Sequence, residues 1–356
     1  METRTLGRTG LEVGVVGLGV EHLNVSRENM DSVFDLGVSA GLNYVDLLYN
    51  DPVDSHADHW DAIAPALRRH RDSLVLALHW GLVDHEPIDK CRRCFDRALE
   101  LLGNGYAEIG MMTMVDSEKT WTGWAQESIE QLKTYQQEGR VGFIGLSNHN
   151  VEVARTVVES GLIDVLMFPV NLYQHPADEA RAALLETCAD HGVGVVAMKP
   201  YYGGRLIETE GRPSGITPVQ CLHYVLSQPI ATVAPGPQDT DHLNAALEYV
   251  HASDGEKEYG LLTEDLTDRL RGQCLECDHC LPCPEGIPIS VVVVSTNYLD
   301  YYSGTRMSVE LNRDFYSAMP VKASACTECG VCEDRCPFGV EIIAKMHRAV
   351  ELFETA

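Results

Sequence analysis

The sequence predicts an α/β protein: a (β/α)8 TIM barrel over residues 1–260, followed by a small, mainly α-helical, cysteine-rich domain over residues 261–356. Two observations support this prediction. In the first 250 residues, short apolar runs alternate eight times with amphipathic helical stretches, in repeats of about 30 residues. That total, roughly 250 residues, is the usual size of a TIM barrel. After residue 270, eight of the twelve cysteines fall into two short runs.

Eight apolar runs are predicted to form the barrel strands. Each run is short, rich in β-branched residues and nearly free of polar residues. This is typical of a strand in a parallel sheet that is buried on both faces. The runs are 13–19, 42–48, 73–80, 108–116, 141–147, 163–171, 193–200 and 230–236.

Amphipathic helices are predicted between these strands. The segments KCRRCFDRALELLG and GWAQESIEQLKTYQQEG both end at glycine, a common helix stop. The segment TPVQCLHYVLSQP begins with a threonine that can cap a helix and has proline in its first turn. A doubly wound Rossmann sheet is the alternative, but its first strand should be followed by a GxGxxG turn. The sequence GLGVEH at 17–22 does not supply one.

Charge and cysteine content restrict the partners and the compartment. Acidic residues outnumber basic ones 53 to 27, for a net charge of −26. That balance argues against nucleic acids and anionic membranes as partners, because both require clustered Lys and Arg. No apolar run suggests a signal peptide or a membrane span, so we expect a cytoplasmic protein. Disulfides are rare in that compartment, so twelve cysteines indicate metal or redox chemistry.

Polar residues at the carboxyl ends of the predicted strands are the candidate active site, because TIM-barrel sites lie at that end. His79 beside Asp46 could act as an acid/base pair, and Tyr49 could donate a proton. Lys199 could bind an anionic substrate group or stabilise an oxyanion. Taken singly, a strand-end polar residue is more often a helix cap or turn former. The other polar residues at these ends are His22, Thr113, Asp116, Ser147, Asn148, His149 and Asn171.

The two cysteine runs predict a ferredoxin-like iron–sulfur domain with two 4Fe–4S clusters. CTECGVCEDRCP at 326–337 has the C-x2-C-x2-C-x3-C-P spacing of bacterial ferredoxins. CLECDHCLPCP at 274–284 differs by one residue, with x2 before its last cysteine. In this motif the fourth cysteine binds the neighbouring cluster, so we expect crossed ligand sets. These sets are Cys274, Cys277, Cys280 and Cys336, and Cys326, Cys329, Cys332 and Cys283.

Zinc is the alternative for these cysteines, because C-x2-C pairs also occur in zinc sites. Two triplets, each with a distant fourth cysteine, fit zinc less well than two ligand pairs would. Residues 287–325, between the runs, are predicted to be helical. The remaining cysteines lie on predicted helices and are expected to pack in the core. They are Cys91, Cys94, Cys188 and Cys221.

The chain resembles the aldo/keto reductases, in the subgroup that carries a C-terminal iron–sulfur domain. The resemblance covers essentially the whole chain. It is carried by TLGRTGLEVGVVGLG, GLNYVD, GFIGLSNHN, VVAMKP, PVQCLHYVLSQP and IATVAPG. It implies a TIM barrel that binds a nicotinamide cofactor in extended form and reduces carbonyl groups by hydride transfer.

The resemblance also implies a cofactor site. Ser147 and Asn148 would hold the nicotinamide amide, and the loop after Pro235 and Gly236 would meet the adenosine phosphates. Asn171, at the end of the sixth strand, belongs to the same candidate set. The loop contains no Lys or Arg for a 2′-phosphate, so the nicotinamide cofactor would be NAD rather than NADP.

The catalytic tetrad of the family, Asp, Tyr, Lys and His, is only partly matched. Asp46 corresponds to the Asp. Asp51 stands at the Tyr position, with Tyr49 two residues earlier. His79 stands at the Lys position and Thr113 at the His position. The family activity therefore does not transfer directly to this chain.

Three functions are consistent with these patterns. The first is an iron–sulfur oxidoreductase whose barrel binds a small carbonyl or hydroxyl compound. Its clusters would deliver or accept single electrons, in a reduction or a radical dehydration, with a ferredoxin- or flavodoxin-type donor. The second is an NAD-dependent carbonyl reductase with a structural cluster domain, and the third is a non-catalytic redox sensor or electron relay. We take the first as the expected function.

Overall fold

The computed structural model describes residues 1–81, 86–173, 179–209, 212–260, 266, 268, 270–274, 279–301 and 309–355. The chain divides into two compact units. The first consists of Met1–Gly203 and Thr217–Tyr259, and the second of Gly204–Ile216 and Gly260–Ala356. Residues 204–216, which were predicted to belong to the barrel, group with the second unit.

The chain begins with a hairpin that closes the amino end of the barrel. Strands β1 (Thr3–Thr5) and β2 (Glu12–Gly14) are antiparallel. Leu6, between them, is fully buried in the barrel core. The backbone passes so close to its neighbour that a Cβ on Gly7 would lie 2.3 Å from the nitrogen of Gly194. Only glycine fits this contact, which also has a φ of +53°.

Eight parallel strands follow and form the barrel. They are β3 (Leu18–Gly19), β4 (Tyr44–Leu47), β5 (Val75–Trp80), β6 (Ala107–Met112), β7 (Val141–Ser147), β8 (Val165–Pro169), β9 (Gly194–Met198) and β12 (Thr232–Ala234). Between β9 and β12, strands β10 (Glu208–Thr209) and β11 (Arg212–Pro213) form a short hairpin that belongs to the second unit. Each strand pairs with the next one in the barrel. Gly17 N donates to Val233 O at 2.8 Å and Gly19 N to Pro235 O at 2.8 Å, so the first and last strands close the ring. The predicted (β/α)8 barrel is confirmed, and the doubly wound alternative is wrong.

Two predicted strands differ from the observed ones. The run at 13–19 divides, because Val13 and Gly14 pair in the hairpin, whereas Leu18–Gly19 pairs with β4 and Val16 bridges to Val233 of the last strand. The run at 108–116 ends at Met112, because Met114 has a φ of +55°. A non-glycine residue in this left-handed region interrupts a strand.

Helices of the first unit lie between the strands. They are α1 (Arg27–Ser39), α2 (Ala57–His70), α3 (Ile88–Leu102), α4 (Glu118–Thr120), α5 (Gln126–Gln137), α6 (Val151–Glu159), α7 (Glu179–Asp190), α8 (Pro218–Leu226), α9 (Thr240–Leu247) and α10 (Asp254–Lys257). A π-helical turn at Trp121–Ala125 joins α4 to α5. The predicted glycine stop and threonine cap are both confirmed. Helix α3 ends at Gly103, which has a φ of +87°, and Thr217 caps α8.

The second unit is mainly helical in the residues described. Its helices are α11 (Ile289–Tyr301), α12 (Val309–Ala318), α13 (Val331–Arg335) and α14 (Ile342–Ala349). Helices α11 and α12 confirm the helical prediction for residues 289–301 and 309–318, and residues 302–308 of the predicted segment lie outside the described residues. Lys345 Nζ donates to Asn297 Oδ1 at 2.6 Å, which joins α14 to α11. Within the described part of the chain, no helix is both long and apolar enough to cross a membrane.

Candidate functional site

Three side chains form a hydrogen-bonded triad at the mouth of the barrel. The mouth is the end of the barrel formed by the carboxyl ends of the strands. His79 Nε2 lies 3.0 Å from Asp46 Oδ2, and His79 Nδ1 lies 2.9 Å from Thr113 Oγ1. Asp46 is on β4, His79 is on β5 and Thr113 follows β6. The three residues are 6%, 2% and 1% exposed, so water barely reaches these hydrogen bonds. The structure therefore brings together the predicted pair, Asp46 and His79, and adds Thr113 to it.

The register of the strands explains how this hydrogen-bonded triad forms. Asp46 pairs with Ala77, so His79 lies two residues farther along β5. His79 in turn pairs with Met111, and Thr113 lies two residues beyond it. Side chains two residues apart share a face of a strand, so all three point into the barrel interior. With Nε2–H donating to Asp46, Nδ1 of a neutral imidazole accepts the hydroxyl hydrogen of Thr113.

Tyr49 is also buried, but its hydroxyl is hydrogen-bonded outside this triad. Its hydroxyl donates to Val20 O at 2.5 Å, and its own carbonyl accepts from Trp60 Nε1 at 2.6 Å. The ring packs against His59, with centroids 4.6 Å apart. Burial raises the pKa of Tyr49, with the Glu21 carboxylate adding to the effect. Among the described hydrogen bonds, none joins Tyr49 to Asp46 or His79.

Asp51, the residue predicted to stand at the family's Tyr position, is held as a buried carboxylate. Its Oδ2 lies 3.1 Å from Lys90 Nζ, and its Oδ1 accepts from Asp54 N at 3.0 Å. Burial raises the pKa of Asp51, but the Asp54 N–H and the Lys90 ammonium outweigh it and hold the pKa below its usual value. An ionised carboxylate has no proton to give, so Asp51 does not replace a phenol donor.

Cys91 and Cys94 lie on α3 beside this ion pair. They are 1% and 4% exposed, and Cys94 Sγ donates to Asp51 Oδ1 at 3.5 Å. Burial raises the pKa of Cys91 to about 12 and that of Cys94 to about 11. Both thiols are therefore protonated near neutral pH. The prediction that they pack in the core is confirmed.

Ser147 and Asn148, the candidate amide-binding residues, are buried and bonded to the main chain. Ser147 Oγ accepts from Met114 N at 2.8 Å. Asn148 Nδ2 donates to Val115 O, and its Oδ1 accepts from Asn150 N at 2.6 Å. The Asn148 side chain is fully buried. The main chain thus already engages each of these polar atoms once.

Asn171 and Lys199 follow the sixth and seventh barrel strands. Asn171 is fully buried, and its Oδ1 accepts from Tyr173 N at 3.2 Å, as a turn former does. Lys199 is exposed and has a φ of +55°. Its carbonyl accepts from Tyr202 N at 2.9 Å. Lys199 thus presents its side chain from a backbone conformation that a non-glycine residue rarely adopts.

The candidate phosphate loop carries a carboxylate. Pro235 O accepts from Gly19 N, and Gly236 lies beside the His22 ring. Asp239 then caps α9, with its Oδ1 accepting from His242 N at 3.1 Å. The negative charge thus occupies the helix end that would otherwise attract a phosphate.

Two cavities in the second unit collect the cysteines of both runs. The first, which we call the Cys326 cavity, is lined by Cys280, Cys283, Cys326, Cys329 and Cys332. The second, the Cys274 cavity, is lined by Cys274, Cys280 and Cys336. Cys277 lies outside the described residues. Each cavity therefore joins cysteines that are some fifty residues apart in the chain, and all the described ones are free thiols.

The distances within these groups do not suit a single metal ion. Among the described residues, no group of three or more Cys, His, Asp or Glu side chains is close enough to hold one ion. The cysteines line the walls of two cavities rather than converging on one point.

Comparison with known proteins identifies the first unit. The profile of the aldo/keto reductase family matches residues 11–256, more than half of the chain. The chain belongs to the aldo/keto reductase family. Residues beyond 256, including both cysteine runs, lie outside the matched range.

Relatives of this aldo/keto reductase are distant. It is 23% identical over 220 residues to the uncharacterized oxidoreductase YqkF of Bacillus subtilis, covering 58% of this chain and 67% of the relative. It is 25% identical over 237 residues to L-galactose dehydrogenase of Arabidopsis thaliana, covering 60% and 69%. The holo form of aldo-keto reductase AKR11C1 from Bacillus halodurans has a similar fold, with a TM-score of 0.61 and 20% identity, covering 75% of this chain and 96% of that one.

Two features of this aldo/keto reductase were not visible in its sequence. The bond between Thr113 and His79 depends on strand register, which single-sequence patterns do not give. Lys90 is an ordinary charged residue on an amphipathic helix, and its contact with Asp51 follows only from how α3 packs. The presence of Asp51 at the predicted Tyr position was the one signal available, since a buried carboxylate requires a partner.

Proposed function

We propose that this aldo/keto reductase is an iron–sulfur oxidoreductase. Its barrel mouth would bind a small carbonyl or hydroxyl compound. Its second unit would hold two 4Fe–4S clusters, which supply or accept single electrons when bound. A ferredoxin- or flavodoxin-type protein would be the external electron donor.

The crossed grouping of the cysteines is the observation that carries this proposal. Cys283 of the first run lines the same cavity as Cys326, Cys329 and Cys332 of the second. Cys336 of the second run lines the same cavity as Cys274 and Cys280 of the first. This grouping supports the exchange of fourth ligands that the ferredoxin spacing predicts, with Cys280 lining both cavities.

The chemistry of the cavities also suits a cluster. Thiolates are soft ligands that select iron–sulfur clusters, zinc or copper. A cubane holds four thiolates at its separate corners, whereas zinc draws four ligands to one centre. The cysteines surround spaces instead of meeting at a point, which favours the cluster over zinc. Ile287, Ile343 and Met346 add an apolar wall to the Cys326 cavity.

At the mouth, Asp46, His79 and Thr113 would handle protons. Reduction of a carbonyl to an alcohol takes two electrons and two protons. The buried carboxylate fixes the imidazole through Nε2, and Thr113 holds the other ring nitrogen. His79 would then supply one of these protons, which would pass from Nδ1 through the Thr113 hydroxyl to the substrate oxygen. Tyr49 would act as a structural support, because its hydroxyl is bonded to Val20 O.

An NAD-dependent carbonyl reductase with a structural cluster domain is the second candidate, favoured by the family match over 11–256. Two contacts weigh against it. The Asn148 amide is bonded to Val115 O and Asn150 N, and Asp239 occupies the helix end expected to meet phosphates. If a dinucleotide does bind, the acidic loop favours NAD over NADP.

Anaerobic purification with iron and sulfide counts, followed by NADH and NADPH titrations, tests the proposal. We expect about eight irons and eight sulfides per chain, as two cubanes require, and no saturable nucleotide binding. Cys283→Ala and Cys336→Ala should each lower the iron count, while Cys188→Ala, a buried thiol of the barrel, should not. Tight NADH binding with NADH-driven carbonyl reduction would favour the second candidate. Intact clusters with no substrate turnover and a bound protein partner would indicate an electron relay.

A further inference from the structure

The two cysteine-lined cavities differ in the other side chains around them. The Cys274 cavity is lined by the polar residues Gln273 and Ser290, which are 8% and 6% exposed. The buried side chains that line the Cys326 cavity, apart from cysteine, are isoleucine and methionine. A buried hydrogen-bond donor therefore distinguishes one cavity from the other.

Gln273 is the residue whose hydrogen bonding is incomplete. Among the described residues, its buried Oε1 atom has no hydrogen-bond partner. An unpaired buried polar atom destabilises the folded state, so such atoms are rare without a reason. Gln273 directly precedes Cys274 in the chain, and both line the same cavity.

Rotation about the last side-chain bond exchanges the two ends of a glutamine amide. A half-turn would place Nε2–H where Oε1 now lies. A thiolate or sulfide in the cavity would accept that hydrogen. We propose that Gln273 donates a hydrogen bond to the sulfur atoms held in the Cys274 cavity and thereby makes this the cavity that is reduced first. This inference rests on the proposed presence of two clusters.

The direction of the effect follows from charge. Reduction adds one negative charge, and a donor that points at sulfur stabilises the added charge. The interaction is stronger in a low-dielectric interior than in water. Two groups affect the other cavity, the Cys326 cavity. Cys329 is exposed, and water around it also favours reduction. The exposed carboxylate of Glu285, which lines the same cavity, disfavours reduction. We expect the buried amide to outweigh these two solvated and partly cancelling effects.

A redox titration of the anaerobically purified holoprotein, followed by electron paramagnetic resonance, tests the proposal. The wild type should show two reduction steps at different potentials. Gln273→Met keeps the length of the side chain and removes the amide. It should lower the higher step by about tenfold in the reduction equilibrium, which is about 59 mV for a one-electron couple. The lower step should not move.

Three further variants complete the test. Gln273→Glu preserves shape and adds a negative charge, so it should lower the same step at least as far. Gln273→Asn, which retains an amide, should lie between Gln273→Met and the wild type. Thr327→Val removes an exposed hydroxyl from the Cys326 cavity and should leave both steps in place. If Gln273→Met loses iron, Gln273→Asn decides the question, because it changes the reach of the amide without adding a charge.

Failure of this inference can be distinguished from failure of the proposed function. An iron and sulfide count below two clusters per chain would overturn the function and, with it, the inference. A different result would overturn only the role of Gln273. In that result, the iron and sulfide count is complete, and Gln273→Met and Gln273→Glu either leave both reduction potentials unchanged or shift both potentials by the same amount.

Discussion

Lys90 Nζ lies 3.1 Å from Asp51 Oδ2, at the position where the sequence resemblance predicts the tyrosine proton donor of the family. Lys90 also contacts Glu86, with Nζ 2.9 Å from Oε1. The side chain at that predicted position is thus a carboxylate that is held ionised. This contact affects stability as well as chemistry, since the folded protein favours the charged form of Asp51.

Asp51→Asn should lower stability in a way that depends on pH. The pKa of Asp51 is lower in the folded state than its unfolded value of about 3.9. Its contribution is therefore present above about pH 4 and is lost as the pH falls through the folded pKa. We expect Asp51→Asn to cost about 1–3 kcal/mol at pH 7, with a smaller difference below about pH 4.

Urea unfolding followed by tryptophan fluorescence measures this difference, because all four tryptophans lie in the first unit. Asp61→Asn, on the exposed face of α2, is the matched control and should behave as the wild type. A cost for Asp51→Asn that stays constant from pH 7 to pH 3 would contradict the assignment.

The pair Asp46 and His79 should show strong energetic coupling. Replacing either partner with leucine leaves the other buried without its hydrogen bond, which costs about 1–3 kcal/mol. Replacing both should cost less than the sum of the single changes by about 0.5–3 kcal/mol. A double-mutant cycle by urea unfolding gives this number. Simple additivity would show that the 3.0 Å contact contributes nothing.

Met114→Gly should stabilise the barrel. Met114 is 45% exposed and has a φ of +55°, a conformation that costs a non-glycine residue about 1–2 kcal/mol. Glycine removes that strain but loses about 0.5–1 kcal/mol through its freer unfolded chain. The net gain should be about 0.5–1 kcal/mol by urea unfolding. Met114→Ala keeps Cβ and should show no gain. Equal effects of the two changes would refute the backbone explanation.

Asp239 should weaken the binding of dinucleotides. Its carboxylate caps α9 at the amino end, where a phosphate would otherwise be attracted. Asp239→Asn retains a capping side chain and removes the charge, which is worth about 0.3–1 kcal/mol, or about twofold to fivefold in Kd. This prediction applies to the second candidate function, in which NADH binds: fluorescence titration with NADH then measures the change, and Asp254→Asn on α10 is the control. An unchanged Kd would mean that the phosphates, if bound, lie elsewhere.

The four helix cysteines of the barrel should resist alkylation. Burial raises the pKa of Cys91, Cys188 and Cys221 to about 12, and that of Cys94 to about 11. The reactive thiolate is therefore scarce near pH 8. Iodoacetamide followed by mass spectrometry should find these residues unmodified in the folded protein and modified in urea. Modification of Cys94 in the folded protein would show that the region around Asp51 opens.

The barrel could be predicted from the sequence because its strands and helices follow local rules. Buried strands such as Val141–Ser147 are continuous apolar runs, and α3 ends at a glycine. The candidate site was predictable only in part. Asp46 and His79 were paired correctly, because both lie near the carboxyl ends of neighbouring strands. The orientation of the Tyr49 hydroxyl and the left-handed turn at Met114 depend on loop geometry, for which the residue types give no signal.

The hairpin contact at Gly7 limits the routes by which small molecules can enter and leave the barrel. At the amino end, the backbones at Gly7 and Gly194 touch, and Leu6 fills the interior behind them. A small molecule that approaches Asp46 must therefore arrive and depart at the same side. Product that leaves slowly would block the path of the next substrate molecule, so release at the mouth can limit the turnover rate whatever the speed of the chemistry.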